Sequence, residues 1–126
     1  MLLPKVESRA QVAELEALLE KSGAPAKTAI WCMMETPLGM LHAEEVAFSS
    51  KRLACLVMGT NDLVKELLAR HTPQRLPVLP AMALCLLAAA LRGSRSSMAC
   101  KTTSRTRQAS SRPASRAWNW VSMARR

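Results

Sequence analysis

Three acidic residues stand at nearly equal intervals along this 126-residue chain: Glu7, Glu35 and Asp62, 28 and 27 residues apart. Each lies just past a short apolar run, Glu35 in "WCMMETPLG" and Asp62 in "CLVMGTNDL". Two carboxylates on neighbouring strand ends can share a hard divalent cation. Mg²⁺ is often held by one or two carboxylates, with water and substrate oxygens completing its octahedron. Such an ion polarises a carbonyl as a Lewis acid. The turn Gly59-Thr60-Asn61 leads into a helix, whose first backbone N–H groups favour a carboxylate ligand. A cation beside an anion pocket suits an oxygen-rich acid, such as a 2-oxo acid or glyoxylate. Ordinary capping competes with this reading. Thr36, Asn61 and Asp62 are common helix-cap residue types, and Glu7 suits a first helical turn. His42 reads as a surface or packing histidine, and no second His or Cys at ligand spacing supports zinc. Neither a G-x-S-x-G nucleophile elbow nor a phosphate-binding P-loop occurs.

The elements that would position these acids follow one repeating pattern. Met1–Val6, Ala29–Met34 and Leu53–Met58 are apolar and of strand length. The third is nearly all apolar, as expected for a strand covered on both faces. A helical pattern follows each run. Ser8 and Gln11 form a capping box, Val12, Leu15, Leu18 and Leu19 share a face, and Gly23 marks a stop. Thr36 caps the second helix with Pro37 at its first position, and Leu38, Leu41 and Val46 form its buried face. Thr60 or Asn61 caps the third, through Asp62 to Arg70, with Leu63, Val64 and Leu67 inward. A fourth helix, roughly Leu79 to Leu91, has no strand after it in this reading. The order β-α-β-α-β-α predicts a parallel sheet. The spacing approaches the ~31 residues per unit of a (β/α)8 barrel, whose active sites sit at the C-terminal strand ends. The expected fold is α/β: a partial (β/α)8 barrel of about three βα units in residues 1–92, with a basic tail over 93–126.

Charge divides the chain at the same place. The net charge is +9, yet residues 1–92 hold ten Lys/Arg against all nine acids. Residues 93–126 hold eight Lys/Arg and no acid. The basic balance therefore describes the tail alone. Cys32, Cys55, Cys85 and Cys100 form no C-x-x-C pair, and the first three lie in apolar runs, as buried thiols of a reducing compartment do. The start, MLLPKVES, lacks a charged segment followed by a long apolar stretch, so no signal peptide is read there. The apolar run Leu76 to Leu91 is short for a membrane span and carries Pro77 and Pro80, which favours a buried helix.

Four segments, "LPKVES", "METPLGMLHAEEVA", "RLACLVMGTNDLVKEL" and "RLPVLPAMALCLLAAALRG", resemble consecutive stretches of the HpcH/HpaI aldolase and citrate lyase beta-subunit family. The CoA-ester lyase branch (malyl-CoA and citryl-CoA lyases) is the most similar, over about residues 2–92. The resemblance implies a (β/α)8 barrel and Mg²⁺-dependent making or breaking of a C–C bond beside a CoA thioester. It places metal ligands at Glu35 and Asp62. It places the oxo acid's carboxylate on the backbone amides of Gly59, Thr60 and Asn61. Lys5 and Glu7 match a "PK-x-E" strand and take a supporting role. A base removes a proton while an acyl-CoA enolate leaves or attacks. Earlier strands, one bearing a substrate-binding Arg, and the later part supplying a general acid/base have no counterpart here. The resemblance further implies a cytoplasmic enzyme, homo-oligomeric when intact, with CoA thioester and oxo-acid partners and neither membrane nor specific nucleic acid.

Family members continue past the fourth helix with segments like "LAILDGV" and "LGFDGKT", which this chain lacks. Met and Trp have one codon each, so joining the third base of each codon to the next two forces some residues. Met98-Ala99 gives Gly, Trp118-Asn119 gives Glu, Asn119-Trp120 gives Leu, and Trp120-Val121 and Met123-Ala124 each give Gly. The shifted text permits both missing segments, in order. The expectation is a reading-frame shift near Ala89–Gly93, a disordered out-of-phase tail and an inactive fragment. The alternatives are a basic nucleic-acid-binding protein acting through 93–126 and a small α/β scaffold without ligand.

Overall fold

The computed structural model describes residues 1–93 and the backbone of 99–103. Its strands are β1 (Leu2–Leu3), β2 (Ile30–Met34), β3 (Leu53–Gly59) and β4 (Ala99–Thr103), all parallel in the order β1-β2-β3-β4. Its helices are α1 (Arg9–Lys21), α2 (Pro37–Leu41), α3 (Ala43–Ala47), α4 (Thr60–Glu66) and α5 (Leu79–Gly93), the last entered through a 3₁₀ turn at Leu76–Val78. The parallel α/β architecture expected from the repeat is therefore the architecture present.

Local chemistry explains the boundaries. Gln11 Oε1 accepts from the Ser8 N–H at 3.1 Å, and Gly23 ends α1 with φ +71°. The Thr36 hydroxyl accepts from Gly39 N–H at 3.1 Å, with Pro37 at the first helical position. Two departures concern the apolar stripes. Leu18, Leu38, Leu41 and Leu67 are exposed, whereas Gly39 and Met40 are buried. The second helix breaks at His42 into α2 and α3, which rotates its face away from Leu38 and Leu41. The third helix stops at Glu66, short of Arg70, as Leu68 turns left-handed at φ 52°.

One core joins the helices to a single face of the sheet. Cys32, Met34, Leu56 and Met58 lie in it with Val12, Leu19, Val46, Leu63, Cys85 and Ala88. The alternate residues Trp31, Met33, Cys55 and Val57 form the other face. Between Ile30 and Trp31 the register slips by one residue at Ala54. Arg92 is buried and donates through Nη1 to the Ala47 carbonyl at the end of α3. That cation tethers α5 to α3 at a helix C-terminus, where positive charge is favoured.

The α5 region departs from the expected buried helix. Leu76–Gly93 is a continuous 18 residues of mean hydropathy 1.8, long and apolar enough to cross a membrane. Pro77 and Pro80 do not shorten it, since both lie in first turns, where no intrahelical N–H is required. Val78, Cys85, Ala88 and Ala89 face the core, while Leu84, Leu86, Leu87 and Leu91 are exposed.

A strand also follows this helix, contrary to expectation. Ala99–Thr103 pairs with β3 from Cys55↔Ala99 to Gly59↔Thr103. The parallel ladder uses backbone groups alone, so the open edge of β3 accepts an extended segment of almost any composition. α5 supplies the crossover that returns the chain to that edge. Five residues of the segment read as disordered are thus strand; residues 94–98 and 104–126 lie outside the described part.

Cys32, Cys55 and Cys85 are buried free thiols, as anticipated; Cys100 lies outside the described side chains. Burial pushes the Cys32 thiol up to about 12, against the pull of Arg92, while Cys55 adds to the rise. Burial likewise lowers Arg92, opposed by Cys32. Cys32 is therefore expected to resist alkylation by iodoacetamide at pH 8 until the chain is unfolded. The folded state holds the thiol proton more tightly than the unfolded state, so the stabilisation is whole below 9.0 and is lost as pH rises towards about 12. Urea midpoints measured between pH 8 and 11 should fall in the wild type and fall less in Cys32→Ala.

Candidate active site

The pairing Met34↔Met58 sets the next residues, Glu35 and Gly59, side by side at the C-terminal end of the sheet. Glu35 is only 5% exposed, and its Oε1 accepts the Lys5 N–H at 3.0 Å. Its carboxyl group lies across Gly59. A Cβ on Gly59 would stand 2.7 Å from Glu35 Cβ and 2.8 Å from Oε2. Gly59 has φ −85°, so glycine is needed there for space and not for its backbone angle.

α4 begins immediately, with Gly59 as its N-cap and no side-chain capping bond. Thr60 is buried; Asn61 and Asp62 are half-buried in the first turn. Asp62 Oδ1 accepts from Lys65 Nζ at 3.1 Å, and that pair is open to solvent. An exposed ion pair of this kind contributes roughly 0–1 kcal/mol and yields readily to a divalent ion. The structure thus brings Glu35 directly against Gly59 and sets Asp62 on the adjoining helical turn, where it pairs with Lys65.

Lys5 and Glu7 occupy the same end of the sheet. Lys5 adopts φ 48°, and its Nζ lies 3.7 Å from Glu66 Oε1 on α4. Glu7 engages through its backbone: its N–H donates to Gln11 Oε1 at 2.7 Å, and its carbonyl accepts from His42 Nδ1 at 2.7 Å. His42, read as a packing residue, ties the start of α1 to the α2–α3 break. Gly39 is a further positioning residue that sequence reasoning left unassigned. A Cβ there would meet the Val6 carbonyl at 2.3 Å, so glycine lets α2 lie against the segment after β1. A glycine inside the helical pattern of "TPLGM" was the available signal.

The donor set is two carboxylates with nearby backbone. Among the described residues, no group of three or more His, Cys, Asp and Glu is placed to hold a metal ion. Hard oxygens in small number, with a slot that glycine leaves open for the Glu35 carboxylate, fit Mg²⁺ better than zinc.

Comparisons with known proteins bear on the family and the fold. A (3S)-malyl-CoA thioesterase of Cereibacter sphaeroides is 45% identical over 93 residues, which are 74% of this chain and 30% of that protein. The citrate lyase subunit beta of Haemophilus influenzae is 32% identical over 96 residues, 72% of this chain and 33% of that one. The chain therefore spans about 30% of the length of the curated relatives it matches. Among solved structures, RipC from Yersinia pestis superposes with a TM-score of 0.64 at 22% identity, covering 82% of this chain and 57% of that chain. A citrate lyase beta subunit from M. tuberculosis, complexed with oxaloacetate and magnesium, superposes with a TM-score of 0.61 at 26% identity. That match covers 80% of this chain and 41% of the other. The fold, the relatives and a family match over residues 1–118 agree: this chain belongs to the HpcH/HpaI aldolase/citrate lyase family.

Proposed function

We propose that the chain carries the cation-binding part of a Mg²⁺-dependent carbon–carbon lyase acting on CoA esters of hydroxy acids. The reaction is retro-Claisen or aldol-type, giving acyl-CoA and an oxo acid. One observation carries this reading: the buried Glu35 carboxylate lies across Gly59, beside the helical turn that bears Asp62. Glu35 and Asp62 would hold the ion. Bound Mg²⁺ supplies Lewis acidity towards the substrate's carbonyl or hydroxyl oxygen. Gly59, Thr60 and Asn61, at the start of α4, are the place for the oxo acid's carboxylate. Lys5 and Glu7 brace the rim. No residue of this chain is assigned as the general acid/base or as the substrate arginine, and the prediction is that the 126-residue chain alone is inactive.

The apolar second face of the sheet, with Trp31, Met33, Cys55 and Val57, supports a sheet that curls into a barrel in a longer protein. The intact enzyme is a cytoplasmic homo-oligomer that uses no membrane and no specific nucleic acid. The residues after Gly93 are read as out of phase with the family's reading frame, while the family match itself runs on to residue 118. The thioesterase name of the 45%-identical relative favours a second chemistry at the same site, hydrolysis of a malyl-CoA-type thioester.

Calorimetric Mg²⁺ titration tests the metal assignment. Asp62 is half-exposed and screened by water, so Asp62→Asn should weaken binding by about tenfold. Identical isotherms for wild type and Asp62→Asn would favour the ligand-free scaffold. Salt-sensitive RNA binding lost on deleting 104–126 would favour the basic-tail reading.

A further inference from the structure

We infer that Lys5 is a positioning residue for this site and acts through its backbone; the inference rests on the Mg²⁺ reading of Glu35 and Asp62. β1 ends at Leu3, yet the chain returns to β2 at Val6, whose N–H donates to the Met33 carbonyl at 3.1 Å. Between these points Pro4 and Lys5 lift out of the ladder. Lys5 takes φ 48°, a left-handed conformation that residues bearing a side chain enter at a cost. Among the described residues, two other non-glycine residues share it, Leu68 after α4 and Arg75 before the 3₁₀ turn. At Lys5 the conformation has a local use: its N–H meets Glu35 Oε1 at 3.0 Å. In an unbroken parallel ladder that N–H would serve the neighbouring strand or solvent. Here it serves a carboxylate that is 5% exposed and needs a donor. With Oε1 held from the β1 side, Oε2 is left over Gly59, facing the end of β3. Backbone strain thus selects which carboxylate oxygen is presented beside α4. The ammonium does less. Its contact with Glu66 spans 3.7 Å between two well-exposed side chains.

The test titrates Mg²⁺ alone into the full 126-residue chain. Lys5→Gly keeps the N–H, suits the left-handed angle and lacks the ammonium; its affinity should stay within about twofold of wild type. Lys5→Pro has no N–H and a fixed negative φ; its affinity should fall about tenfold, the usual order for loss of a group that orients a ligand. Equal affinities in all three proteins overturn the backbone role while leaving Glu35 and Asp62 as ligands. Equal losses in both variants also overturn it, assigning the work to the ammonium. A wild type that takes up no Mg²⁺ overturns the metal reading and this inference with it. Should Lys5→Pro fail to fold by circular dichroism, amide hydrogen exchange decides. Lys5 N–H should be protected in wild type and in Glu35→Gln, which keeps an acceptor oxygen, and exchange about tenfold faster in Glu35→Ala. Equal exchange in the two Glu35 variants overturns the proposal.

Discussion

Gly59→Ala should abolish most of the chain's Mg²⁺ affinity, by about 100-fold, and lower its folding stability by about 1–3 kcal/mol. The added methyl would lie 2.7 Å from Glu35 Cβ and 2.8 Å from Oε2, so both cannot remain. Glu35 has little room to yield, because it is buried and its Oε1 is tied to the Lys5 N–H. Moving the carboxylate breaks that bond and removes the oxygen from the end of β3. The effect exceeds that of Asp62→Asn because Asp62 is half-exposed and already shared with Lys65. Two measurements isolate the cause. Calorimetry reads the affinity, and urea unfolding followed by circular dichroism reads the stability. In a Glu35→Gly background, Gly59→Ala should be nearly silent on stability, since the group it displaces is gone. A Gly59→Ala protein that binds Mg²⁺ as tightly as wild type would show that Glu35 is not the ligand.

What the sequence discloses about this site is its residue types and their order along the chain. Glu35 and Asp62 stand out as candidates because strand-length apolar runs end just before them, and a parallel sheet carries all such ends to one side. Gly59 is legible as a turn residue, but its reason for being glycine is a contact with residue 35, which no local rule reveals. Lys5 is harder still. Its side chain suggests a charge, whereas its N–H does the work, and the left-handed angle that aims it follows from how Val6 rejoins β2. Short helices mislead for a related reason. In α2 and α3 the break at His42 rotates one face against the other, so a single stripe through Leu38, Leu41 and Val46 cannot be buried. Only Val46 is. β4 was unreadable because its pairing depends on the free edge of β3 and the length of α5, while its own residues, ACKTT, carry no apolar run.

That last point bears on the second large effect. The 126-residue chain should release no oxo acid from malyl-CoA, citramalyl-CoA or citryl-CoA. Inserting one base among the codons for Ala89–Gly93 should restore the later segments, whose general acid/base is worth about 10²–10⁴-fold in turnover once the earlier, arginine-bearing strands are also supplied. The insertion joins each third base to the following two. It replaces the tail with text that permits Leu-Ala-Ile-Leu-Asp-Gly-Val and, later, Leu-Gly-Phe-Asp-Gly-Lys-Thr. The first would fall near β4, which already pairs with β3 through backbone alone. There Lys101 stands opposite Val57 and Thr102 opposite Met58 on a strand whose partner is buried along most of its length. An apolar residue in register with buried Val57 or Met58 would extend the sheet's packed faces. Restoring the frame should therefore raise thermal stability even before turnover returns. Among the described residues, β1 and β4 are the sheet's two edges, and an uncovered edge is open to pairing with other chains. Sequencing the DNA across Ala90, assaying both proteins for oxo acid and comparing their melting temperatures separates the outcomes. Turnover by the 126-residue chain would refute its inactivity. A stop codon soon after the insertion, or a tail without family segments, would refute the frame shift. Either result would leave the Glu35 and Asp62 site to stand or fall on its Mg²⁺ titration.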